Sequence, residues 1–243
     1  RIYIFMFRLV KFLLSLFDYF TEKKIISQLK EIFKEKKTIS VIDIGSHKGE
    51  FISGIDKNFL ISKAYCFEPN PNIFQILQKK YLYNKKFQLL NFGASNKTDT
   101  ISFNENMESS SSSINELNTD SRYYKKKFFL LNFFGSKKKI INKISIKVIK
   151  LDNFLIEKKI NKINLLKIDT EGHEYQVLKG LKDKINIIDL ILFEHHFDDM
   201  IIKNYKLSNI HDLLVENGFI KKFKIKMKFR KSFEYIYVSK NFI

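Results

Sequence analysis

The chain has 243 residues, of which 44% are apolar and 29% charged, so it can bury one sizeable core and is not disordered throughout. Basic residues number 44 against 26 acidic ones, which gives a formal charge of +18. Such a balance ordinarily indicates nucleic acid or an anionic membrane as a partner. Only 4 of the basic residues are arginine, however, and arginine reads bases and phosphates through its bidentate fork. We therefore treat the charge as a weak indication and attribute the lysine excess to an AT-rich genome.

A single cysteine, Cys66, excludes an internal disulfide framework and a multi-cysteine zinc site. This composition predicts a reducing compartment, and we expect a cytoplasmic protein. No apolar run reaches the roughly 18 to 20 residues that a membrane-spanning helix needs. Because the chain begins with Arg1 rather than methionine, it is either a fragment or has its true start at Met6.

Residues 1–37 are predicted to form an N-terminal helical extension. Residues 2–20 carry an apolar stripe at helical spacing, interrupted by charged side chains. We expect this helix to pack on the domain or on a partner, and the alternative is a peripheral contact of residues 1–20 with the inner face of the membrane. A polar, lysine-rich helix is predicted to follow over residues 21–36.

From residue 38 onward, short apolar runs alternate with helix-length segments, which predicts a parallel sheet with crossover helices. The predicted strands are ISVIDIG (39–45), AYCFE (64–68), FQLLNFGA (87–94), NLLKID (164–169) and IIDLILFEHH (187–196). The predicted helices span residues 49–60, 71–83, 171–181 and 208–217. Two final stretches of alternating polarity, 219–229 and 232–239, predict an antiparallel hairpin at the sheet edge.

Residues 95–152, between the third and fourth predicted strands, are too long for a single crossover and are predicted to form an insertion. They contain a serine tract (109–113), a basic aromatic stretch, YYKKKFFLLNFF (123–134), and a strand-like ISIKVIKLD (144–152). An insertion above a sheet is a natural place for substrate-facing structure.

Gly45 and Gly49, two of only 8 glycines, follow directly after the first buried strand. They would let the strand turn sharply into a helix while the backbone approaches a ligand closely. The spacing D-x-G-x-x-x-G differs from the G-x-G-x-x-G of dinucleotide sites, and the GK[ST] of a P-loop is missing. Glu68 ends the second strand, where an acidic side chain can accept both hydroxyls of a ribose. A ribose-bearing cofactor without a tightly held pyrophosphate indicates S-adenosylmethionine, and the alternative is an unliganded loop.

Acidic and imidazole side chains follow the fourth predicted strand, and in open α/β sheets ligands bind beyond the carboxyl ends of strands. Methyl transfer is an in-line displacement that requires alignment and, for a hydroxyl acceptor, a base. The candidate catalytic residues are Asp169, Glu171 and His173. Alternatively, Asp169 caps the following helix, Glu171 lies in its first turn, and His173 faces solvent.

Two further features concern charged side chains in strands. The His195–His196 pair with Glu194 and Asp198 is an alternative metal site, but adjacent residues of a strand point to opposite faces, and we predict no metal. Lys167 lies inside an apolar strand, where an unpaired charge would be costly. We expect Lys167 to pair with a neighbouring carboxylate.

Several segments together resemble the FkbM-family methyltransferases, a branch of the class I S-adenosylmethionine-dependent enzymes. In chain order they are VIDIGSHKGEF, FEPNPNIFQIL, NFGAS, the serine tract, VIKLDNFL, LLKIDTEGHEYQVLKG and LFEHH. The resemblance covers about residues 38–200, and KIDTEGHEYQVLKG is its most specific part. It implies an α/β fold with a doubly wound, Rossmann-like, mostly parallel sheet of seven strands, formed by a methyltransferase domain over residues 38–243. The C-terminal hairpin fits the antiparallel sixth and seventh strands of that fold.

The resemblance also implies roles for the residues that bind the cofactor. The methionine end would be held by Asp43, Gly45, Ser46 and Gly49, the ribose by Glu68, and the adenine approached by Asn91 and Gly93. The sequence departs from the family at His47 and Lys48, which replace small or apolar residues, and at His173, where a small residue is common.

Family members modify glycans and natural products, so the resemblance implies O-methylation of a hydroxyl on a sugar, glycan or related small molecule. A nucleic-acid-binding or nucleic-acid-modifying protein is the alternative, suggested by the charge and by residues 123–134. Against it, the lysines are spread along the chain and the N-P-P-[YF] signature of base-amine methylation is missing, so we do not expect nucleic acid as a partner. A third alternative is a non-catalytic interaction or membrane-surface module that uses the N-terminal helix. A basic rim at residues 125–127 and 137–139 would help to recruit an acidic glycan or lipid head group.

Overall fold

The computed structural model describes residues 2–34, 36, 38–105, 112–126, 142–228 and 230–242, with side chains from residue 16 onward. Most of the serine tract and of the basic aromatic stretch therefore lies outside the described residues, as does the part of the basic rim at 137–139.

A seven-stranded sheet forms the centre of the protein, with the strand order β3-β2-β1-β7-β8-β10-β9. Strands β1, β2, β3, β7 and β8 pair in parallel, and β10 is antiparallel to both β8 and β9. These strands are β1 (Thr38–Ile44), β2 (Leu60–Phe67), β3 (Phe87–Leu90), β7 (Ile163–Ile168), β8 (Ile188–His196), β9 (Phe219–Lys226) and β10 (Ser232–Ser239). The predicted doubly wound α/β fold with its C-terminal hairpin is confirmed.

Helices cover both faces of this sheet, and each face carries its own apolar cluster. The helices are α1 (Ile2–Ile32), α2 (Glu50–Asn58), α3 (Pro71–Tyr81), α4 (Leu151–Glu157), α5 (Glu174–Lys179) and α6 (Leu207–Glu216). A 3₁₀ helix spans Lys182–Ile187, and a helical turn covers 122–126. Pro71 stands at the start of α3, and the Asn70 side chain accepts hydrogen bonds from the first-turn backbone, as expected for a helix start.

The prediction of two N-terminal helices was wrong, because α1 is a single helix of 31 residues that ends at Ile32. The half predicted to be polar packs on the domain through Ile25, Ile26 and Leu29, all of which are buried. Their spacing places them on one side of the helix, and the flanking Lys23, Lys24 and Lys30 are exposed. Peripheral membrane contact of residues 1–20 stays a prediction. Among the described helices, none has both the length and the apolarity to cross a membrane.

The prediction of one strand over residues 87–94 was also wrong. Strand β3 ends at Leu90, and Gly93 begins a new strand in a second, three-stranded sheet with the order β4-β6-β5. A Cβ at Gly93 would lie 2.9 Å from the Val148 side chain, so glycine lets the two strands of this sheet approach closely. The sheet consists of β4 (Gly93–Ser95), β5 (Asp99–Glu105) and β6 (Asn142–Lys150).

The strand predicted over residues 144–152 ends two residues earlier than expected. Leu151 and Asp152 already belong to α4, and the Asp152 amide donates to the Gly180 carbonyl over 2.9 Å. Helix α4 then returns the chain from the second sheet to β7 at the centre of the first.

Candidate active site

The loop after β1 and the segment after β7 are in direct contact at Gly45. Gly45 has a φ of +83°, and a Cβ there would lie 1.9 Å from the carbonyl oxygen of Asp169. The Asp169 amide donates to the Ile44 carbonyl over 2.9 Å. The parallel pairing of β1 with β7 therefore brings the predicted cofactor loop and the predicted catalytic acids together.

The loop over residues 45–49 is a tight turn fixed to the end of β2. The amides of Gly45 and Ser46 both donate to the Phe67 carbonyl over 2.9 Å, and the Gly49 amide donates to the Ser46 carbonyl. The Ser46 hydroxyl donates back to the Asp43 carbonyl over 2.8 Å. Gly49 also has a positive φ of +76°, a conformation that glycine adopts without steric cost. Both glycines are thus required by the turn itself.

Asp43 lies fully buried in β1, next to Lys167 in the parallel register with β7. Among the described residues, neither of its carboxylate oxygens has a hydrogen-bond partner. Burial raises the pKa of Asp43 to about 6, although Lys167 opposes this change. A buried carboxylate with unused acceptors beneath the loop fits a cofactor whose methionine end is cationic.

Glu68 connects the end of β2 to the loop. Its Oε2 accepts from the His47 amide over 2.9 Å, and its Oε1 accepts from the Asn70 amide over 2.8 Å. Burial raises the pKa of Glu68 to about 7, and these backbone hydrogen bonds oppose the change. Each carboxylate oxygen has a further lone pair for a hydroxyl donor, so the arrangement fits a ribose.

Asn91 and Gly93 lie beside the end of β2. The Asn91 side-chain amide donates to the carbonyls of Glu68 and Pro69 over 2.8 and 3.2 Å. Gly93 is buried against Val148, so packing within the second sheet already accounts for the missing side chain. Contact of either residue with the adenine stays a prediction.

Lys167 pairs with a carboxylate, as predicted. Its Nζ lies 2.8 Å from Oδ2 of Asp169. Burial opposes the charge of Lys167, but Asp169 and Asp43 outweigh it and raise the pKa of the ammonium. Burial likewise opposes the charge of Asp169, yet Lys167 holds the pKa of Asp169 below its usual range. Asp169 is therefore ionised at neutral pH.

Glu171 contacts His196, at the carboxyl end of β8, with 3.2 Å between Oε2 and Nε2. His196 also lies 3.5 Å from Glu194 and 3.6 Å from Asp198. Burial disfavours the imidazolium, but the carboxylates of Glu171, Asp198 and Glu194 outweigh it and raise the pKa of His196 to about 10. His196 is thus a cation that pairs with acids. No group of three or more His, Cys, Asp or Glu in the described part of the chain is arranged to hold a metal ion.

His173 is held on both ring nitrogens. Its Nε2 lies 2.9 Å from the Ser95 hydroxyl in β4, and its Nδ1 lies 3.4 Å from Oδ1 of Asn115. Burial lowers the pKa of His173 to about 4, so the ring is neutral. The interpretation of His173 as a solvent-facing residue was wrong.

The helix predicted over residues 171–181 begins only at Glu174, and His173 takes the N-cap position. Glu171 and Gly172 have φ values of +50° and +99°, which a right-handed helix cannot contain. The alternatives that Asp169 caps this helix and that Glu171 lies in its first turn were therefore wrong. Both acids belong to a turn at the end of β7.

Glu174 is a buried acid that the sequence analysis did not single out. Its Oε1 accepts from the Thr170 hydroxyl over 3.1 Å and from the Gly172 amide over 2.8 Å. Its Oε2 accepts from the hydroxyl of Tyr205. The sequence does contain an indication of this buried acid. In KIDTEGHEYQVLK, Glu174 is on the same side of the helix as the apolar Val177 and Leu178. Glu174 holds the turn that carries Glu171.

The second sheet continues into a segment, residues 113–118, that fastens the same turn. The Ser113 hydroxyl donates to the Glu171 carbonyl over 2.7 Å. The Asn115 side-chain Nδ2 donates to the carbonyls of Gly172 and Ile202, each over 2.9 Å. Sequence spacing gives no signal for these contacts, because they join residues at least 57 positions apart.

Two solved methyltransferases have this architecture. The methyltransferase FkbM of Methylobacillus flagellatus KT superposes with a TM-score of 0.54 at 14% identity, covering 83% of this chain and 44% of that chain. Magnesium protoporphyrin IX methyltransferase (ChlM) of Synechocystis PCC 6803, solved with bound S-adenosylmethionine, superposes with a TM-score of 0.51 at 10% identity, covering 92% of this chain and 80% of that chain. At these identities the likeness establishes the fold, which is the Rossmann-like methyltransferase fold.

Residues 43–221 match the methyltransferase FkbM domain, and the chain belongs to the FkbM methyltransferase family. S-adenosylmethionine is its cofactor, as predicted. The hexuronic acid methyltransferase AglP of Haloferax volcanii is 26% identical over 136 residues, which are 56% of this chain and 48% of AglP. The chain thus spans about half the length of AglP and less than half of the Methylobacillus protein.

Proposed function

We propose that the protein transfers a methyl group from S-adenosylmethionine to a hydroxyl of a sugar, glycan or related metabolite. The observation that carries this proposal is the contact between Gly45 and Asp169. It places the acid-bearing turn after β7 against the loop proposed to hold the methionine end of the cofactor. An acceptor bound at that turn would have its hydroxyl close to the methyl group, and such alignment supplies much of the rate of a displacement.

The cofactor-binding residues are proposed to act from three strand ends. When bound, S-adenosylmethionine supplies an electrophilic methyl group on a cationic sulfonium. The methionine end is held by Asp43, Gly45, Ser46 and Gly49, the ribose by Glu68, and the adenine side by Asn91 and Gly93. The buried carboxylates of Asp43 and Glu68 complement the cationic donor and the ribose hydroxyls.

Asp169 and Glu171 are proposed to accept the hydrogen bond of the acceptor hydroxyl. The acceptor oxygen would bond to the methyl carbon while the methyl–sulfur bond breaks and its electron pair goes to sulfur, which would leave as S-adenosylhomocysteine. The O–H bond would break with its proton passing to a carboxylate. The side chains of Asp169 and Glu171 are 30% and 16% exposed, so both border the accessible edge of the site. His173 is already engaged on both nitrogens, and we assign it the role of holding the turn rather than that of the base.

The acceptor class is supported by membership of the family and by the similarity to AglP, which is a hexuronic acid methyltransferase. We accordingly propose an O-methyltransferase in which a carboxylate at the end of β7 acts as the base.

The Glu68→Ala variant tests the cofactor site. Loss of two charge-assisted hydrogen bonds to ribose should weaken S-adenosylmethionine binding by about 100-fold, as measured by isothermal titration calorimetry. The control is Glu157→Ala, which removes an exposed acid of α4 and should leave binding unchanged. Equal affinities of the wild type and Glu68→Ala would contradict the ribose assignment.

The reaction itself is tested with labelled S-adenosylmethionine and a panel of oligosaccharides. Methyl label in the sugar fraction, with a large loss in Asp169→Asn but intact cofactor binding, is the expected result. Label that appears only in protein, lipid or nucleic acid would overturn the proposed acceptor class.

A further inference from the structure

Arg230 is one of only four arginines in the chain, and it lies at the candidate active site. It occupies the turn between β9 and β10, two residues before β10 begins at Ser232. Ser232 pairs with His196, the last residue of β8, so Arg230 extends past the carboxyl end of β8. Because nearly all basic residues of the protein are lysines, an arginine at this position is unusual.

The guanidinium of Arg230 reaches α1, and its turn is tied to the end of β8. Its Nη2 donates to Oδ2 of Asp18 over 2.9 Å. The next residue, Lys231, is hydrogen-bonded to Phe197, and His196 before Phe197 contacts Glu171 over 3.2 Å, so the strand register places Arg230 near this acid. Burial disfavours the charge of Arg230, but Asp18, Glu194, Glu171 and Asp169 outweigh burial and raise its pKa.

Two of those acids already have a cationic partner of their own. Asp169 pairs with Lys167 over 2.8 Å, and Glu171 pairs with His196 over 3.2 Å. Arg230 has five N–H groups, and in the described part of the chain its one hydrogen bond is to Asp18. The Asp18 side chain is 44% exposed, so this bond is accessible to a competing anion.

Lys231, the residue after Arg230, is close to an aromatic ring. Its ammonium lies 5.8 Å from the centre of the Tyr123 ring, which belongs to the helical turn at 122–126, between β5 and β6. The Lys231 carbonyl accepts from the Phe197 amide over 2.7 Å, which fixes the turn to the end of β8. The turn that carries Arg230 thus also holds a second cation, next to an aromatic ring.

We propose that Arg230 binds a carboxylate on the acceptor, so that the protein selects a sugar bearing a uronic acid, with the acceptor carboxylate replacing Asp18. This inference rests on the proposed function and adds the charge of the substrate. The planar guanidinium matches a carboxylate through two parallel hydrogen bonds. The other cations near the acids, Lys167 and His196, are already paired with Asp169 and Glu171.

The test measures binding of two matched probes, methyl β-D-glucuronide and methyl β-D-glucoside, to the protein loaded with S-adenosylhomocysteine. Saturation-transfer NMR titration should show the glucuronide binding about tenfold more tightly, since a charge-assisted pair contributes at least 1.4 kcal/mol. Arg230→Gln should abolish this preference. Arg122→Gln, which removes an exposed arginine next to Tyr123, should retain it. Equal binding of the two probes by the wild type, or an unchanged preference in Arg230→Gln, would overturn the proposal.

Two further variants separate binding from folding. Arg230→Lys keeps the charge without the fork and should keep only part of the preference. Asp18→Asn breaks the same contact to α1 but leaves the guanidinium in place, so it should bind the glucuronide at least as tightly as the wild type does. If Asp18→Asn lost the preference as fully as Arg230→Gln, the effect would come from α1 and the proposal would fail.

Methyl transfer from labelled S-adenosylmethionine is measured separately from binding of the two probes. Methylation of neutral and acidic sugars with equal efficiency would leave the proposed function standing and refute the role of Arg230. Binding of the glucuronide through Arg230, without label in any sugar, would support the anion site and refute O-methylation of glycans.

Discussion

Glu194 and Glu234 lie directly opposite each other in the register of β8 and β10, and both are buried. Burial raises the pKa of Glu234 to about 8, and the carboxylate of Glu194 adds to this. Two buried carboxylates so close together cannot both ionise without a large cost. Glu234 therefore carries a proton in the folded protein at neutral pH.

Replacing Glu234 by glutamine should stabilise the protein at high pH. The ordinary pKa of Glu234 is 4.5 and its folded value is about 8, so the folded state holds an extra proton between these values. Stability must then fall as pH rises through that window. Glu234→Gln should remove this loss, raising the free energy of unfolding at pH 9 by about 5 kcal/mol with little change at pH 4. Urea unfolding at pH 4 and pH 9 measures this free energy, and Glu216→Gln, at an exposed position, is the control. If the stability of the wild type and of Glu234→Gln changed with pH in the same way, Glu234 would not be protonated in the folded protein.

Gly45 and Gly218 allow the contact at the centre of the site to be tested by a matched pair. Both have positive φ values, +83° and +79°, but a Cβ at Gly218 would meet nothing within 4 Å. Gly218→Ala should therefore cost only the backbone strain of about 1 kcal/mol. Gly45→Ala should cost about 3 kcal/mol or more, because its methyl group would force the Asp169 backbone away. Equal losses of stability in the two variants, measured by thermal or urea unfolding, would show that the loop at Gly45 does not contact the segment at Asp169.

At the scale of elements, the second sheet is joined to the active-site turn by segment 113–118. Besides the bonds from Ser113 and Asn115 to the turn, the Asn118 amide donates to the Met200 carbonyl over 2.8 Å. The segment thus fastens the loops after both β7 and β8. The insertion acts on the site through these contacts, and its role in facing the substrate stays a prediction.

Asn115→Ala should loosen the turn that carries Glu171. It leaves the carbonyls of Gly172 and Ile202 without donors, which should lower the free energy of unfolding by about 2 kcal/mol. Hydrogen exchange at residues 169–173 should accelerate while S-adenosylmethionine affinity stays unchanged. Asn72→Ala, on exposed α3 surface, provides the control. Unchanged protection at residues 169–173 would mean that Glu174 and Ser113 hold the turn without Asn115.

At the scale of the whole molecule, the charge of +18 resides almost wholly on lysines, which attract phosphates without reading sequence. We expect single-stranded DNA and RNA to bind only weakly and to lose most of that affinity between 50 and 200 mM salt. Fluorescence anisotropy at the two salt concentrations measures this. Tight binding at 200 mM salt that also depends on S-adenosylmethionine would favour the nucleic-acid alternative.

Much of the fold follows from local sequence. Buried runs such as that of β1 and β8, and the Pro71 and Gly218 boundaries, are set by side-chain periodicity and backbone restriction within a few residues. The wrong predictions fall where contacts between distant residues determine the local structure. The second half of α1 has a polar composition, but its apolar side is buried against the domain. Strand β3 ends at Leu90 because β4 pairs with β6 in the second sheet.

The sequence by itself determined the α/β fold, the family and the list of candidate site residues, because these depend on residue types and spacing along the chain. Only the tertiary structure decided how those residues work together. Parallel pairing of β1 with β7 brought Gly45 against Asp169, Asn115 and Ser95 contact both ring nitrogens of His173, and the hairpin carried Arg230 to Asp18 of α1. The physical reason is that charge pairing and burial depend on distances in space, and those distances are set by strand register and loop closure.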